Sequence, residues 1–240
     1  NWNARSLIRV VRGRIEQALM RYLAHQRGPK PFLQAIVDLT TLEKTGEFAE
    51  LPIYELDGKK GLHLVVLYLV IGNFRVPWAW RVWRGEGTPS PSELALKLLH
   101  SLPLWLKKRF RIRVLADGGF GNDQFLNGVV KLGFEGVVGM RCDRKLASGG
   151  QLQDLKTKGQ KVELKGLEIP LWASWCWLKK PDGIQELRYV VATFRTSGQN
   201  LIRWGKRRWD IEGFFKTIKH RFSLHRFGQR TPRGVYRYLI

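Results

Sequence analysis

A chain of 240 residues at 44% hydrophobic content can bury a sizeable core, and one large domain is the natural expectation. Lys and Arg number 42 against 20 Asp and Glu, and the resulting charge of +22 repels itself and attracts polyanions, so nucleic acid is the simplest partner. Membrane and disulfide-framework classes are excluded, because the best apolar run, Leu64 to Ile71, is too short to span a bilayer, no signal or lipidation motif is visible, and Cys142 and Cys176 suit neither a disulfide framework nor a four-ligand zinc site, which points to a reducing cytoplasm.

Leu7, Ile8, Val11, Ile15, Ala18, Leu19 and Tyr22 fall at helical spacing among arginines, and Gly28-Pro29 with Pro31 ends the pattern. This predicts an N-terminal helical segment over 1–30. Phe32 to Val37 reads as a buried strand that ends at Asp38 and Thr40-Thr41. Two strand-like runs follow, Leu62 to Ile71 and Phe74 to Trp83, split by a hairpin turn at Gly72-Asn73, so the sheet starts antiparallel. Glu93 to Leu102 has helical character, and Ile112 to Ala116 is a short strand delivering Asp117 before Gly118-Gly119. A helix over Asn122 to Leu132 and a strand over Gly136 to Met140 complete the first part of the core, 31–140. Residues 141–196 read as a β-rich inserted lobe of short basic and Trp-rich pieces, with Leu187 to Phe194 its clearest strand. The last part, 197–240, carries a helix from about Leu201 to Phe222. Because the chain starts at Asn1 and stops at Ile240 inside an amphipathic pattern, a fragment is expected.

The last helix reads Arg208-Trp-Asp-Ile-Glu212-Gly-Phe-Phe-Lys216-Thr-Ile-Lys219, which puts Arg208, Glu212 and Lys219 on one face and sets a carboxylate in a basic wall. Asp210 should point away from that face. Alternating helices and strands of this order suit an α/β fold of the ribonuclease H-like kind, a mixed sheet with flanking helices and a β-rich insertion before the last catalytic helix. In such a sheet the first strand lies beside the fourth, so Asp38 and Asp117 can meet and Glu212 can join them. Three acidic groups would repel one another unless cations neutralise them, and oxygen ligands of this kind suit Mg²⁺, with Mn²⁺ as substitute. Two such ions about 3.5–4 Å apart would serve phosphodiester chemistry without a histidine base. The five histidines show no metal or triad spacing, and Asp123 and Asp143 read as surface residues.

These residues resemble a DDE transposase of a bacterial insertion sequence, in the insertion-sequence-four group. Its Tyr-(2)-Arg-(3)-Glu-(6)-Lys signature is matched by Arg208, Glu212 and Lys219, with Gly205 where the signature has Tyr and Trp204 beside it. Val37-Asp-Leu-Thr-Thr-Leu-Glu-Lys44 and Leu115-Ala-Asp-Gly-Gly-Phe-Gly-Asn122 resemble the blocks that hold the first and second Asp. The resemblance implies Mg²⁺-dependent cleavage of double-stranded DNA at transposon ends, strand transfer into target DNA, and a homodimer in the synaptic complex. It gives Arg208 and Lys219 phosphate contacts and makes Tyr189 the residue that stacks on a flipped base. A bacterial protein of this kind would sit in the cytoplasm, on nucleoid DNA.

Residues 203 to 237 hold eleven Lys or Arg, Arg207 and Lys216 among them, against Asp210 and Glu212, and read as the wall of a DNA groove. Lys107-Lys108-Arg109 with Arg111 and Arg113 forms a second basic cluster. Most of the tryptophans are expected in the core. Two other readings stand beside the transposase: a catalytically inactive or truncated DNA-binding remnant, and a ribonuclease H-like nuclease.

Overall fold

The computed structural model describes residues 4–25, 27–44, 46, 48–179, 183–208, 210–221, 223, 226 and 228–239. Residues 61–71 are all buried, the mark of a strand covered on both faces. This strand, β3 (Lys59–Ile71), pairs antiparallel with β1 (Phe32–Glu43) on one side, and β2 (Tyr54–Leu56) and β4 (Phe74–Trp83) share its other edge. The β3–β4 hairpin turns at Gly72, whose φ of 54° favours glycine. On the far side of β1 lie β5 (Arg111–Ala116) and β6 (Glu135–Met140), both parallel to it, and then antiparallel β9 (Gln185–Ala192), β8 (Leu171–Lys179) and β7 (Gln160–Val162).

Side chains alternate along β1 between two cores. Leu33, Ala35 and Val37 enter the core covered by α1 (Ala4–Ala24), α2 (Pro91–His100), α3 (Leu104–Arg109) and α4 (Asp123–Lys131). Ile36 and Leu42 enter the core covered by α5 (Gly198–Arg207), α6 (Asp210–His220) and α7 (Pro232–Tyr238). Helices thus cover both faces of one mixed sheet, a three-layer α/β arrangement. Among the described residues, no helix is long and apolar enough to cross a membrane.

Four expectations about local structure change. Strand β1 continues to Glu43, because its antiparallel pairing with β3 outlasts its pairing with β5, so Asp38 lies within a strand and not at its end. Helix α3 and strand β2, both short, escape the sequence pattern. Strands β7 to β9 extend the main sheet through the β6–β9 pairing. The helix expected from about Leu201 to Phe222 is two helices, α5 and α6, with Arg208 as the C-cap of the first; Phe222 itself lies outside the described residues.

Candidate active site

The last registered pair of β1 and β5 is Val37 opposite Ala116, which makes Asp38 and Asp117 the next positions on two neighbouring parallel strands. Val37 and Ala116 face the α1–α4 side, so alternation turns Asp38 toward the side of α5 and α6. Asp38 is 6% exposed. Its Oδ1 accepts the Leu39 N–H at 2.8 Å, and its Oδ2 accepts Arg208 Nη1 at 2.9 Å. The same guanidinium donates through Nη2 to Glu212 Oε1 at 2.8 Å. One arginine therefore clamps carboxylates that come from the central strand and from α6. Arg208 and Asp38 are largely buried, while the Glu212 side chain is 55% exposed, so Glu212 stands at a mouth rather than inside a basic wall.

Asp117 closes β5 and caps the 3₁₀ turn Gly118–Phe120, its Oδ1 accepting the Gly119 N–H at 3.0 Å. That turn sits directly on β6. A Cβ on Gly139 would fall 2.7 Å from the Gly118 nitrogen, and one on Gly121 would fall 2.6 Å from the Gly139 carbonyl oxygen, so bare backbones set the depth of Asp117. Asp117, Arg208 and Glu212 line an open cleft of about 550 Å³, with Arg141, Arg188 and Tyr189 on its other wall.

Burial pushes the Asp38 carboxyl up to about 7; Asp117 adds to the rise, Arg208 and the Leu39 amide oppose it, and Glu212 adds a little more. The short ion pair with Arg208 thus fails to offset desolvation and the neighbouring carboxylates. Lys219 is half-buried, and burial lowers its pKa, with Lys59 adding to the fall and Glu43 and Asp38 resisting it. It stands close enough to Asp38 to feel that charge.

As arranged, no three His, Cys, Asp or Glu side chains among the described residues are grouped to hold a metal ion. The guanidinium of Arg208 takes the central place that a cation would need. The donor set nevertheless fits a hard divalent ion: carboxylate oxygens, with a raised Asp38 whose charge an added cation would favour.

The remaining candidates sit as follows. Tyr189 is 6% exposed on β9, opposite Met140 of β6, and packs on Trp175 with ring centroids 5.9 Å apart, yet it still lines the cleft. Arg207 is exposed and lies 4.6 Å over the Trp204 ring, and Lys216 is exposed on α6. Gly205 lines the cleft, and a Cβ there would meet Val190 at 3.4 Å, an ordinary contact. The second basic cluster is partly structural: Arg113 is 4% exposed, bonded to Glu135 through Nε at 2.9 Å, and stacked among Phe32, Phe194 and Trp204, because a desolvated guanidinium requires such partners. Asp123 pairs with Arg144 and Asp143 with Arg141. The side chain of Asp210 lies outside the description. His63 is a buried structural group between Thr41 and the Tyr54 carbonyl. Sequence reasoning missed the Asp38–Arg208 clamp and the Gly118–Gly139 contact, neither of which has a local signal.

Asp38 and Glu212 held by one arginine, with Asp117 on the neighbouring parallel strand, define an α/β protein whose cleft mixes carboxylates with cations. The family model described as a transposase DDE domain matches residues 33–240, and the chain belongs to that family. No curated protein matches it in sequence. Among solved structures it is similar to piggyBac transposase in a synaptic complex with hairpin DNA, at TM-score 0.45 and 10% identity, covering 86% of this chain and 44% of that one. It is also similar to human ENDOV, at TM-score 0.31 and 13% identity, covering 93% of this chain and 92% of that one. The chain thus spans less than half the length of the piggyBac chain.

Proposed function

We propose that this chain is the catalytic core of a DNA transposase of the insertion-sequence-four kind, ribonuclease H-like in fold, cleaving DNA at transposon ends and joining the freed strand to target DNA. The observation that carries this reading is the clamp of Arg208 on Asp38 and Glu212, with Asp117 adding its charge to Asp38, inside a family match that covers all three acids. Asp38, Asp117 and Glu212 would hold Mg²⁺ or Mn²⁺. Divalent ions bound there supply Lewis-acid polarisation of the phosphodiester and a water or 3′-hydroxyl that is easily deprotonated.

The chain's own residues then bind and orient the strand. Arg208 lies between Asp38 and Glu212 and lines the cleft, and its planar fork would suit a phosphate there. Lys219, Lys216 and Arg207 add positive charge along α5 and α6, and Tyr189, which lines the cleft, would stack on a flipped base. Gly205 lines the cleft where the signature has a tyrosine, so that position offers the strand no ring. A dimer would hold two DNA ends together, in a bacterial cytoplasm and on nucleoid DNA.

The test is plasmid and oligonucleotide cleavage in Mg²⁺ or Mn²⁺ by the full chain and by Asp38→Asn, Asp117→Asn and Glu212→Gln. Each substitution is expected to abolish cutting, with a rate loss of at least about a hundredfold, while leaving DNA binding in place. Arg208 standing in the cation's place also favours a second reading, a DNA-binding remnant without catalysis. Wild-type protein that binds DNA and never nicks it supports the remnant, whereas nicking without strand-transfer products supports a nuclease.

A further inference from the structure

A second hollow adjoins the cleft. Met140 and Arg141, at the end of β6, line both the cleft and a trough of about 390 Å³, whose walls carry Arg144, Lys145 and Lys165. The two hollows therefore meet at one residue pair. The acidic side chain on the trough's lining, Asp143, is engaged by Arg141 at 2.6 Å. Arg144 is engaged by Asp123 and by the Lys165 carbonyl oxygen, the latter at 3.2 Å.

Lys145 and Lys165 differ from these. Both are exposed, and neither makes an ion pair among the described residues. The backbone holds them side by side: the Lys165 N–H donates to the Lys145 carbonyl oxygen at 3.0 Å, and the next pair inward, Leu146 and Leu164, forms an antiparallel bridge with Leu164 1% exposed. Like charges opposite each other on paired backbone destabilise each other, and here an anchored antiparallel pairing fixes the two lysines together. The partner that relieves such a pair is a row of anions spaced along a polymer.

We propose that the trough of Arg144, Lys145 and Lys165 is a second DNA-backbone site, which carries the duplex beyond the cut from the carboxylate-bearing cleft, across Arg141, and onto the segments before β7 and β8. The proposal rests on the functional reading above and extends it to the path of the substrate. Its chemistry is sequence-independent phosphate neutralisation, so it contributes affinity and register but no base readout.

The experiment measures binding of a fluorescein-labelled DNA duplex by anisotropy across KCl concentrations, for the full chain, for Lys145→Gln/Lys165→Gln, and for Lys97→Gln/Lys131→Gln, an equal charge loss on the exposed sides of α2 and α4. Loss of two phosphate contacts should reduce the slope of log K against log salt by about 1.8, with the control close to wild type. A second readout uses Cys142, exposed beside Arg141: in Cys176→Ser protein, saturating duplex should slow its alkylation several-fold. Equal slopes for the two double variants, or a Cys142 rate that DNA leaves unchanged, overturns the proposal. Neither readout needs turnover. Protein that cuts DNA but keeps the slope loses the trough and keeps its function, and protein that binds through the lysine pair without cutting does the reverse.

Discussion

Asp38 is a buried carboxyl that its surroundings hold toward the neutral form. At 6% exposure it keeps one amide and one guanidinium as partners, and its pKa still rises to about 7 from an ordinary 3.8. A carboxyl whose pKa is raised on folding stabilises the fold fully below its unfolded value and loses that contribution as pH rises through the folded value. Comparing metal-free wild type with Asp38→Asn therefore gives a difference that grows between about pH 4 and about pH 7. The asparagine variant should be the more stable at pH 8, by about 1–3 kcal/mol, since each unit of pKa is worth about 1.4 kcal/mol and Arg208 loses half its clamp. Thermal melts across that range in chelator check it, and a difference independent of pH contradicts it. At this scale the candidate acids could be picked out in the sequence, because Asp38 and Asp117 each follow a short apolar stretch, Ala35-Ile36-Val37 and Val114-Leu115-Ala116. The clamp was not. Arg208 and Glu212 are four apart and their pairing can be read locally, but contact between Arg208 and Asp38 depends on sheet register and on how α5 hands over to α6.

Among elements, the turn that presents Asp117 depends on β6 more than on its own residues. Gly139 lets the Gly118 backbone approach to a distance that any Cβ would obstruct. Gly139→Ala should thus destabilise the protein by about 1–3 kcal/mol by overpacking and displace Asp117, reducing cleavage. Gly213→Ala on α6, where a Cβ meets open space, should be neutral or stabilising by up to about 1 kcal/mol. Urea melts of the two variants separate these outcomes, and equal effects would show that close backbone packing at β6 does not matter. The β3–β4 hairpin was readable because a long apolar run breaks at Gly72-Asn73, and β5 because a short apolar stretch ends before Asp117-Gly118-Gly119. Strand β8 was not, since Trp172, Trp175 and Trp177 scatter its pattern and its pairing with β9 is what aligns them. Likewise Arg113 reads as one more surface cation until the aromatic rings of Phe32, Phe194 and Trp204 close around it.

For the whole molecule, the charge of +22 is organised rather than spread evenly. Asp38 and Asp117 lie next to each other where the parallel pairing of β1 and β5 stops, cations line the cleft and the trough beside it, and Arg111 and Arg113 of the second basic cluster bond Glu135 within the sheet. The α/β class was legible from element order. The joining of β7 to β9 to the main sheet was not, because it rests on long-range pairing with β6. The central claim is that Asp38, Asp117 and Glu212 share divalent cations once Arg208 yields. Titration of Mn²⁺ at pH 8, followed by loss of the free-ion magnetic resonance signal, tests it without any substrate. Wild type should take up Mn²⁺, and Asp117→Asn and Glu212→Gln should each bind at least about tenfold more weakly, a loss of about 1.4 kcal/mol. Folded variants that bind Mn²⁺ as wild type does, or a folded wild type that binds none, would contradict it.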